Sequence, residues 1–301
     1  MGDQAEKLRL LAKSLQEKVQ RQQVPSYNAN GCRVITVTSG KGGVGKTNLA
    51  LALSLALSMQ KYRVALMDAD MGLANVDVIL GIMPKYNLLD VINGKMSLID
   101  VIHEGPEGLK IIPSASGIEE LANLDAKALD NLLNEIALIE RQFDYLVIDT
   151  GAGISRQVMA FILAAEEILL VTTPEPTALT DAYGLIKVFK KHNGKGCLRL
   201  VINKVRSHQE GIEAAQRLIR AVKYFLNLDI EVAGCIPSDK AVEDAVRRNQ
   251  SFIIAFPSAP ASQNVMKIAS IYGNVALWKP KRSIDGFMKQ IISFLKRGGS
   301  A

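Results

Sequence analysis

The 301-residue sequence has little cysteine and no apolar run long enough to span a membrane. Its three cysteines, Cys32, Cys197 and Cys235, are far apart and lack Cys-x-x-Cys spacing, so neither a disulfide framework nor a zinc or iron–sulfur site is indicated. The uncharged run at residues 47–60 is shorter than the ~20 residues that a spanning helix needs. The N-terminus has no signal-peptide pattern. These absences predict a protein of the reducing cytoplasm that is soluble or peripheral to a membrane.

The net charge of +6 is unevenly distributed along the chain. The segment after Trp278 carries +5 and residues 1–30 carry +2, which leaves residues 31–278 near neutral. A neutral body argues against a broad nucleic-acid-binding face, and a basic tail favours contact with an anionic surface. We therefore divide the chain into an N-terminal segment (1–30), a body (31–278) and a tail (279–301).

The most informative stretch is TSGKGGVGKTN at residues 38–48, between an apolar strand-like run and an apolar helix-forming run. It satisfies the G-x-x-x-x-G-K-[ST] pattern, in which backbone N–H groups surround phosphate oxygens, a lysine neutralises them and a hydroxyl reaches Mg²⁺. The following helix directs its positive end toward the same anion. The predicted phosphate cradle comprises Gly40, Gly42, Gly43, Val44, Gly45, Lys46, Thr47 and Asn48.

A second lysine, Lys41, lies within this loop, and the string KGGVGKT resembles the deviant Walker A motif of the MinD/ParA class of P-loop ATPases. The resemblance implies that Lys41 contacts the phosphates of ATP bound by a partner subunit in a dimer that sandwiches two ATP molecules. There it would stabilise charge on the transferred phosphoryl group. It also implies that Asp181, in the segment PEPTALTD, meets the loop lysine.

The acidic residues after two buried strand patterns continue the resemblance. Asp68 and Asp70 follow the run YRVALM, and carboxylates at such strand ends face the ligand crevice of α/β sheets. The family implies that Asp70 positions the attacking water and that Asp68 lies near Mg²⁺. Asp149 follows YLVI as a Walker B carboxylate that holds a Mg²⁺ water, and Gly153 of switch II offers its N–H to the γ-phosphate. Gly151 departs from the proline that is usual there.

Residues at the base-binding end complete the predicted site. Asn203 resembles the adenine-reading asparagine of the family, because an amide supplies both a donor and an acceptor. Pro237 and Asp239 resemble the loop that flanks the base. The Asn-Lys-x-Asp guanine signature is missing, which favours ATP over GTP as the nucleotide. His103 has no ligand-spaced partner, and we expect no catalytic role for it.

Strand and helix patterns alternate along residues 31–278, with strands expected at 33–37, 62–67, 109–112, 145–148, 168–172, 198–202 and 230–236. Such alternation predicts an α/β fold with a doubly wound, mostly parallel sheet flanked by helices on both faces. The helix after switch II begins near Arg156, in a neighbourhood that forms dimer and partner surface in the family.

The N-terminal segment carries an apolar helical stripe that must be covered by the body or by a partner. The string DQAEKLR at residues 3–9 resembles the N-terminus of the FlhG family of flagellar-number regulators within the MinD-like ATPases. There it activates the signal-recognition-particle-type GTPase FlhF, which implies partner contacts at Gln4, Leu8 and Arg9. Basal-body proteins are further partners that the resemblance implies.

The tail has an apolar face opposite a basic face at residues 284–297, typical of an interfacial helix. The predicted membrane-inserting residues are Ile284, Phe287, Met288, Ile291, Ile292 and Leu295. A helix docked on the body would show the same pattern. Because one such tail binds marginally, two tails in an ATP-bound dimer would make membrane attachment depend on nucleotide.

The expected function is that of a magnesium- and ATP-dependent, dimerising, membrane-associating ATPase that controls flagellar number and stimulates an FlhF-type GTPase. The alternatives are a septum-positioning MinD, a DNA-segregating ParA and a nucleotide-binding scaffold without turnover. An iron–sulfur reductase would need two cysteines near the dimer axis, and residues 72–196 contain none.

Overall fold

The computed structural model describes residues 31–70, 75–113, 124, 126–273 and 283–296. Eight strands form one sheet in the order β3-β4-β2-β5-β1-β6-β7-β8, and every pair is parallel except β3 with β4. The strands are β1 (Arg33–Ser39), β2 (Val64–Ala69), β3 (His103–Glu104), β4 (Lys110–Pro113), β5 (Tyr145–Ala152), β6 (Glu167–Thr172), β7 (Cys197–Val205) and β8 (Glu231–Pro237). The predicted doubly wound, mostly parallel sheet is confirmed.

Helices cover both faces of this sheet, as βαβ connections require. They are α1 (Lys46–Met59), α2 (Asn75–Leu80), α3 (Leu88–Ile92), α4 (Leu98–Val101), α5 (Ala126–Gln142), α6 (Arg156–Ala164), α7 (Pro176–Lys191), α8 (His208–Leu226), α9 (Lys240–Arg247), α10 (Phe252–Ala255), α11 (Pro260–Tyr272) and α12 (Ile284–Lys296), with a 3₁₀ turn at Pro106–Gly108. In the described part of the chain, none of these helices is long and apolar enough to cross a membrane.

Helix α1 lies in the centre of one face and explains why the phosphate loop has a rigid base. Its leucines at positions 49, 51, 53, 55 and 57 are all buried, so the helix is surrounded by apolar contacts rather than packed along one stripe. Helices α10 and α11 pack against it, and their residues Phe252, Ala261 and Val265 join the same core. The loop therefore joins a fully buried strand to a helix in which residues 49–58 are all buried.

The opposite face carries α12, the helix that we expected to bind a membrane. It packs against α5 and α6, and all six predicted membrane residues are buried there. The rings of Phe287 and Phe161 lie 6.3 Å apart between centroids. The docked arrangement, which the sequence left open, is thus the one observed, and membrane insertion of these side chains requires the helix to leave the body.

A buried polar cluster lies at the N-terminal end of the central strands, away from the phosphate loop. Glu167 forms ion pairs with both Arg33 and Arg199. Arg33 and Tyr145 donate to the carbonyl oxygen of Tyr272, the last residue of α11. Both arginines also face the Tyr272 ring, with distances of 5.0 and 5.7 Å to its centroid. These contacts hold the end of α11 against the N-terminal ends of β1, β5 and β6.

Residues 240–272 are where the structure adds most to the sequence prediction, which assigned no element there. They form α9, α10 and α11. The signals for them are short: Asp239 accepts from Ala241 as the N-cap of α9, and Pro260 occupies the first turn of α11. Strand β3, of two residues, was also not anticipated, and it places half-buried His103 beside β4.

Candidate nucleotide site

The phosphate loop has the conformation that the glycine pattern predicts. Gly43 and Gly45 have φ values of 78° and 90°, in the left-handed region that favours glycine. A Cβ atom on Gly45 would lie 2.4 Å from the Asn203 side-chain nitrogen, and one on Gly40 would lie 2.4 Å from the Asp181 backbone. Glycine is therefore required at position 40 by a close contact and at position 45 by both a close contact and its conformation.

Two residues of β7 support this loop from the side. The Asn203 amide nitrogen donates to the Val44 carbonyl at 2.8 Å, and the Lys204 ammonium donates to the Gly43 carbonyl at 2.8 Å. The sequence predicted Asn203 as a base reader but gave Lys204 no role. With one of its two amide N–H groups used by Val44, Asn203 keeps its second N–H and its oxygen for other partners.

Lys46 and Asp149 form the ion pair at the centre of the site. The Lys46 ammonium lies 2.8 Å from Asp149 Oδ1 and 3.9 Å from Asp70 Oδ2, and both Lys46 and Asp149 are buried. Burial raises the pKa of Asp149, while the Lys46 charge and the neighbouring Thr47 hydroxyl oppose this effect. The predicted residues Lys46, Thr47, Asp70 and Asp149 are thus brought together from β1–α1, β2 and β5.

Asp68 lies completely buried in the same region and organises the loop after β2. Its two oxygens accept from the backbone N–H groups of Asp70 at 3.1 Å and Val76 at 3.2 Å. Burial, with a smaller contribution from Asp149, raises the pKa of Asp68 to about 7. The carboxyl that the sequence placed near Mg²⁺ therefore also fixes the backbone that carries Asp70.

The residues present fit a magnesium ion held together with nucleotide phosphates. In the described part of the chain, Asp149 Oδ2 is buried without a hydrogen-bond partner, beside the Thr47 hydroxyl. No group of three or more His, Cys, Asp or Glu side chains suited to an all-protein metal site occurs among those residues. That combination suits Mg²⁺, which keeps several waters and uses one or two carboxylates with substrate phosphates.

The switch II segment runs directly from β5 across the front of the phosphate loop. The Gly153 N–H, predicted to approach a γ-phosphate, donates here to the Ser39 carbonyl at 2.8 Å, and its φ is 91°. A Cβ atom on Gly151 would lie 3.4 Å from Asp70 Oδ1. Glycine in place of the usual proline thus leaves room for the Asp70 carboxylate, while Gly151 itself is held in β5.

The site opens into a cavity of about 750 Å³ that extends from the phosphate loop to α9. Its phosphate end is lined by Gly42, Thr47 and Asn48, and its far end by apolar residues with Pro237 and Asp239. The Asp239 oxygens accept from the N–H groups of Ala241 at 2.9 Å and Ala261 at 3.1 Å. Asp239 thus joins α9 to α11 and shapes the wall of the cavity, at the position that the sequence assigned to the loop flanking the base.

Lys41 lies at the surface of the loop, with 40 % of its side chain exposed. Its ammonium contacts Thr177 Oγ1 at 2.9 Å and Glu175 Oε2 at 3.3 Å, at the start of α7. The predicted partner was Asp181, whose backbone packs on Gly40 but whose side chain is exposed one turn further along α7. The structure thus places Lys41 on the predicted segment but pairs it with different residues.

Arg156, the first residue of α6, connects switch II with the docked tail helix. Its guanidinium donates to the carbonyl oxygens of Phe294 at 2.8 Å and Leu295 at 2.5 Å, and it lies 6.0 Å from the centre of the Phe294 ring. Carbonyls at a helix C-terminus lack intrahelical partners, and a cation is favourable there. The sequence placed Arg156 at a dimer or partner surface; the structure turns it toward the chain's own tail.

The predicted partner residues Gln4, Leu8 and Arg9 lie outside the described residues. The basic positions that flank the tail helix at 279–282 and 297 also lie outside them.

Comparison with known proteins identifies a family for this arrangement. The ParA family model, described as an NUBPL iron-transfer P-loop NTPase, matches residues 31–272. The antiactivator FleN of Pseudomonas aeruginosa is 39 % identical over 272 residues, covering 89 % of this chain and 96 % of the relative. The flagellum site-determining protein YlxH of Helicobacter pylori is 35 % identical over 274 residues, covering 89 % and 92 %.

Solved structures of the MinD class share the fold. The septum site-determining protein MinD of Pyrococcus horikoshii, complexed with Mg-ADP, aligns with a TM-score of 0.66 and 29 % identity, covering 83 % of this chain and all of that one. MinD in the MinC:MinD complex of Aquifex aeolicus aligns with a TM-score of 0.67 and 25 % identity, covering 83 % and 99 %. With the loop, the Lys46–Asp149 pair and the sheet order in place, the chain belongs to the ParA family of P-loop NTPases and is a MinD/ParA-type ATPase.

Proposed function

We propose that this ATPase is a nucleotide-dependent switch that dimerises with ATP and Mg²⁺, attaches to the membrane through α12 and regulates the number or placement of flagella. The observation that carries the proposal is the direct link from the site to the tail. Switch II runs from Asp149 to Gly153, and three residues later Arg156 binds the end of α12. Any change at switch II on nucleotide binding is therefore transmitted to the contact that holds the tail.

The groups of the site have separate tasks in this proposal. Lys46 holds the phosphates in its own subunit, and Asp70, 3.9 Å from the Lys46 ammonium, orients the attacking water. When bound, Mg²⁺ neutralises charge on the phosphates and would be held by Thr47 and Asp149. Lys41, at the surface and free to exchange Glu175 and Thr177 for a phosphate, acts across the dimer interface.

Release of α12 would supply the membrane contact. Its apolar face is the one now buried against α5 and α6, so the same side chains cannot contact lipid and body together. Insertion of this face gains several kcal/mol, but ordering a free helix opposes it, and a single tail binds marginally. A dimer presents two tails, and the effective concentration of the second one makes the attachment stable.

The flagellar role is supported by two relatives with high coverage, which are named an antiactivator and a flagellum site-determining protein. Gln4, Leu8 and Arg9 of residues 1–30 then contact an FlhF-type GTPase and raise its GTP turnover. Septum-site-determining MinD proteins are also relatives, for example that of Thermotoga maritima at 36 % identity over 205 residues, and septum positioning remains the second candidate.

Iron transfer, which appears in the description of the family model, has little support in this chain. Its three cysteines are free and lie on separate segments: Cys32 is buried before β1, Cys197 begins β7 and Cys235 lies in β8. The near-neutral body likewise does not favour DNA segregation.

The switch is tested by co-sedimentation of the full chain with phosphatidylglycerol vesicles in Mg-ATP and in Mg-ADP, with molecular mass measured by light scattering. We expect dimers and vesicle binding with ATP and neither with ADP. The matched variants are Asp70→Ala, which should trap the bound dimer by blocking turnover, and Lys46→Ala, which should prevent both. Vesicle binding that is equal in both nucleotides would refute the switch.

The proposed partner interaction is tested separately with an FlhF-type GTPase. A peptide of residues 1–23 should raise its GTP turnover, and the same peptide with Gln4→Ala and Leu8→Ala should not. In cells that lack the native gene, flagella are counted after complementation with the native chain and with a chain lacking residues 1–23. Normal flagella with abnormal division sites would transfer the assignment to septum positioning.

A further inference from the structure

Exposed aromatic side chains cluster where α7 and α8 meet, away from the nucleotide site. Tyr224 and Phe225 at the end of α8 are 83 % and 69 % exposed. The Phe225 ring contacts Tyr224 at 4.8 Å and Tyr183 of α7 at 6.5 Å between centroids, both edge to face. Large exposed aromatic residues in contact with one another indicate an interaction surface rather than scattered surface hydrophobics.

Basic residues lie on the same faces of α7 and α8 as these aromatic residues. Lys187 and Lys191 follow Tyr183 at intervals of four along α7, and Arg220 precedes Tyr224 by four along α8, so each shares a face with its aromatic residue. All three are exposed, and in the described part of the chain none of them forms an ion pair. We call Tyr183, Lys187, Lys191, Arg220, Tyr224 and Phe225 the α7–α8 surface.

Shape and position point to one kind of partner. Exposed rings and cations lie side by side on these two helices, an arrangement that suits a surface of anionic lipid headgroups. His192, which ends α7, contacts Phe294 of the tail helix at 5.6 Å between ring centroids. The surface therefore continues from the place where the tail is docked.

We propose that the α7–α8 surface is a second membrane contact, in which the lysines and arginine face anionic lipid headgroups and Tyr224 and Phe225 enter the interfacial region. Aromatic rings are favoured at that depth, and basic side chains near an anionic leaflet each strengthen binding. The inference rests on the proposed membrane attachment and adds to it: released tails tether the dimer, and this surface sets which side of the body faces the lipid.

The first test compares charge-neutral variants of the full chain in Mg-ATP, on vesicles of phosphatidylglycerol and phosphatidylethanolamine. Lys187→Gln with Lys191→Gln should lower the vesicle partition coefficient roughly 30-fold at low salt, because two interfacial cations, each contributing about 1 kcal/mol, are lost. Lys61→Gln with Lys267→Gln removes the same charge from exposed positions near α1 and on α11, and should change it less than twofold. ATP turnover should stay unchanged in both.

The second test locates the rings directly. In a Trp278→Phe background, Phe225→Trp should be quenched by brominated lipid in the ATP state, whereas Met83→Trp, at a position 94 % exposed near α2, should not. Equal partition of both lysine pairs, or no quenching at position 225, would overturn the α7–α8 surface while native binding still supports the tail. If the native chain does not bind vesicles in any nucleotide state, the proposed membrane attachment itself is refuted.

Discussion

Replacing Arg156 with alanine gives the most direct test of whether the nucleotide site controls the tail. The change removes two charge-assisted hydrogen bonds, to the Phe294 and Leu295 carbonyls, and the stacking of the guanidinium on the Phe294 ring. It leaves the phosphate loop, Asp149 and the buried face of α12 untouched. We expect the nucleotide-free body to fold normally and α12 to leave it more often.

The size of the effect follows from these contacts. A hydrogen bond to a charged group contributes about 1.5–3 kcal/mol. Because the Arg156 guanidinium is only half-buried, solvent screening reduces this, and we expect about 2 kcal/mol for the pair of bonds. Since about 1.4 kcal/mol corresponds to a factor of ten, the equilibrium for tail release should rise roughly 30-fold.

Hydrogen exchange in Mg-ADP measures that equilibrium on the tail itself. Amides of residues 284–296 should exchange roughly 30-fold faster in Arg156→Ala, and vesicle binding in Mg-ADP should increase. Lys289→Ala is the matched control, because its ion pair with Asp285 is exposed, lies within the same helix and contributes ~0.5 kcal/mol or less. Unchanged exchange in Arg156→Ala, or an equal increase in the control, would show that Arg156 does not hold the tail.

Three further variants test other parts of the structure. Gly45→Ala should lower the free energy of unfolding of the nucleotide-free protein in urea by about 1–3 kcal/mol, because position 45 has a φ of 90° and a Cβ there would meet the Asn203 side chain. Gly42→Ala should leave this free energy unchanged, because a Cβ at position 42 meets no atom within 4 Å. Lys41→Ala should leave stability within about 1 kcal/mol, because its ion pair is exposed, yet light scattering should find no ATP-dependent dimer; a persisting dimer would contradict the action across subunits. Glu167→Gln should lower the free energy of unfolding in urea by about 3 kcal/mol, since Arg33, which is buried, and Arg199 both lose the Glu167 charge and Arg199 keeps only its ion pair with the exposed Glu231; a change below about 1 kcal/mol would mean that the cluster contributes little.

Local patterns predicted the centre of this protein well. Short stretches of sequence were enough to identify the glycine loop and the carboxylates at the strand ends, which are Asp68, Asp70 and Asp149. The alternation of strands and helices predicted a parallel sheet, and in such a sheet the strand ends lie together. Most expected strands are therefore found within a few residues of their predicted bounds.

The pairings between distant segments were not predictable in the same way. Lys41 contacts Glu175 instead of Asp181, and Asp239 caps α9 and also binds the start of α11, because these contacts depend on side-chain distances that the spacing of residues does not encode. An amphipathic pattern likewise states that the face of α12 is covered, but not whether lipid or protein covers it.

The buried cluster around Glu167 has a consequence for how far the tail can travel. It secures Tyr272, so the chain leaves the body from a fixed point, and ten residues separate Gly273 from Ile284. A fully extended chain spans at most ~3.5 Å per residue, which limits the start of a released α12 to within about 35 Å of that point. In the proposed membrane-bound state, an inserted α12 would thus keep the Tyr272 end of the body within that distance of the lipid.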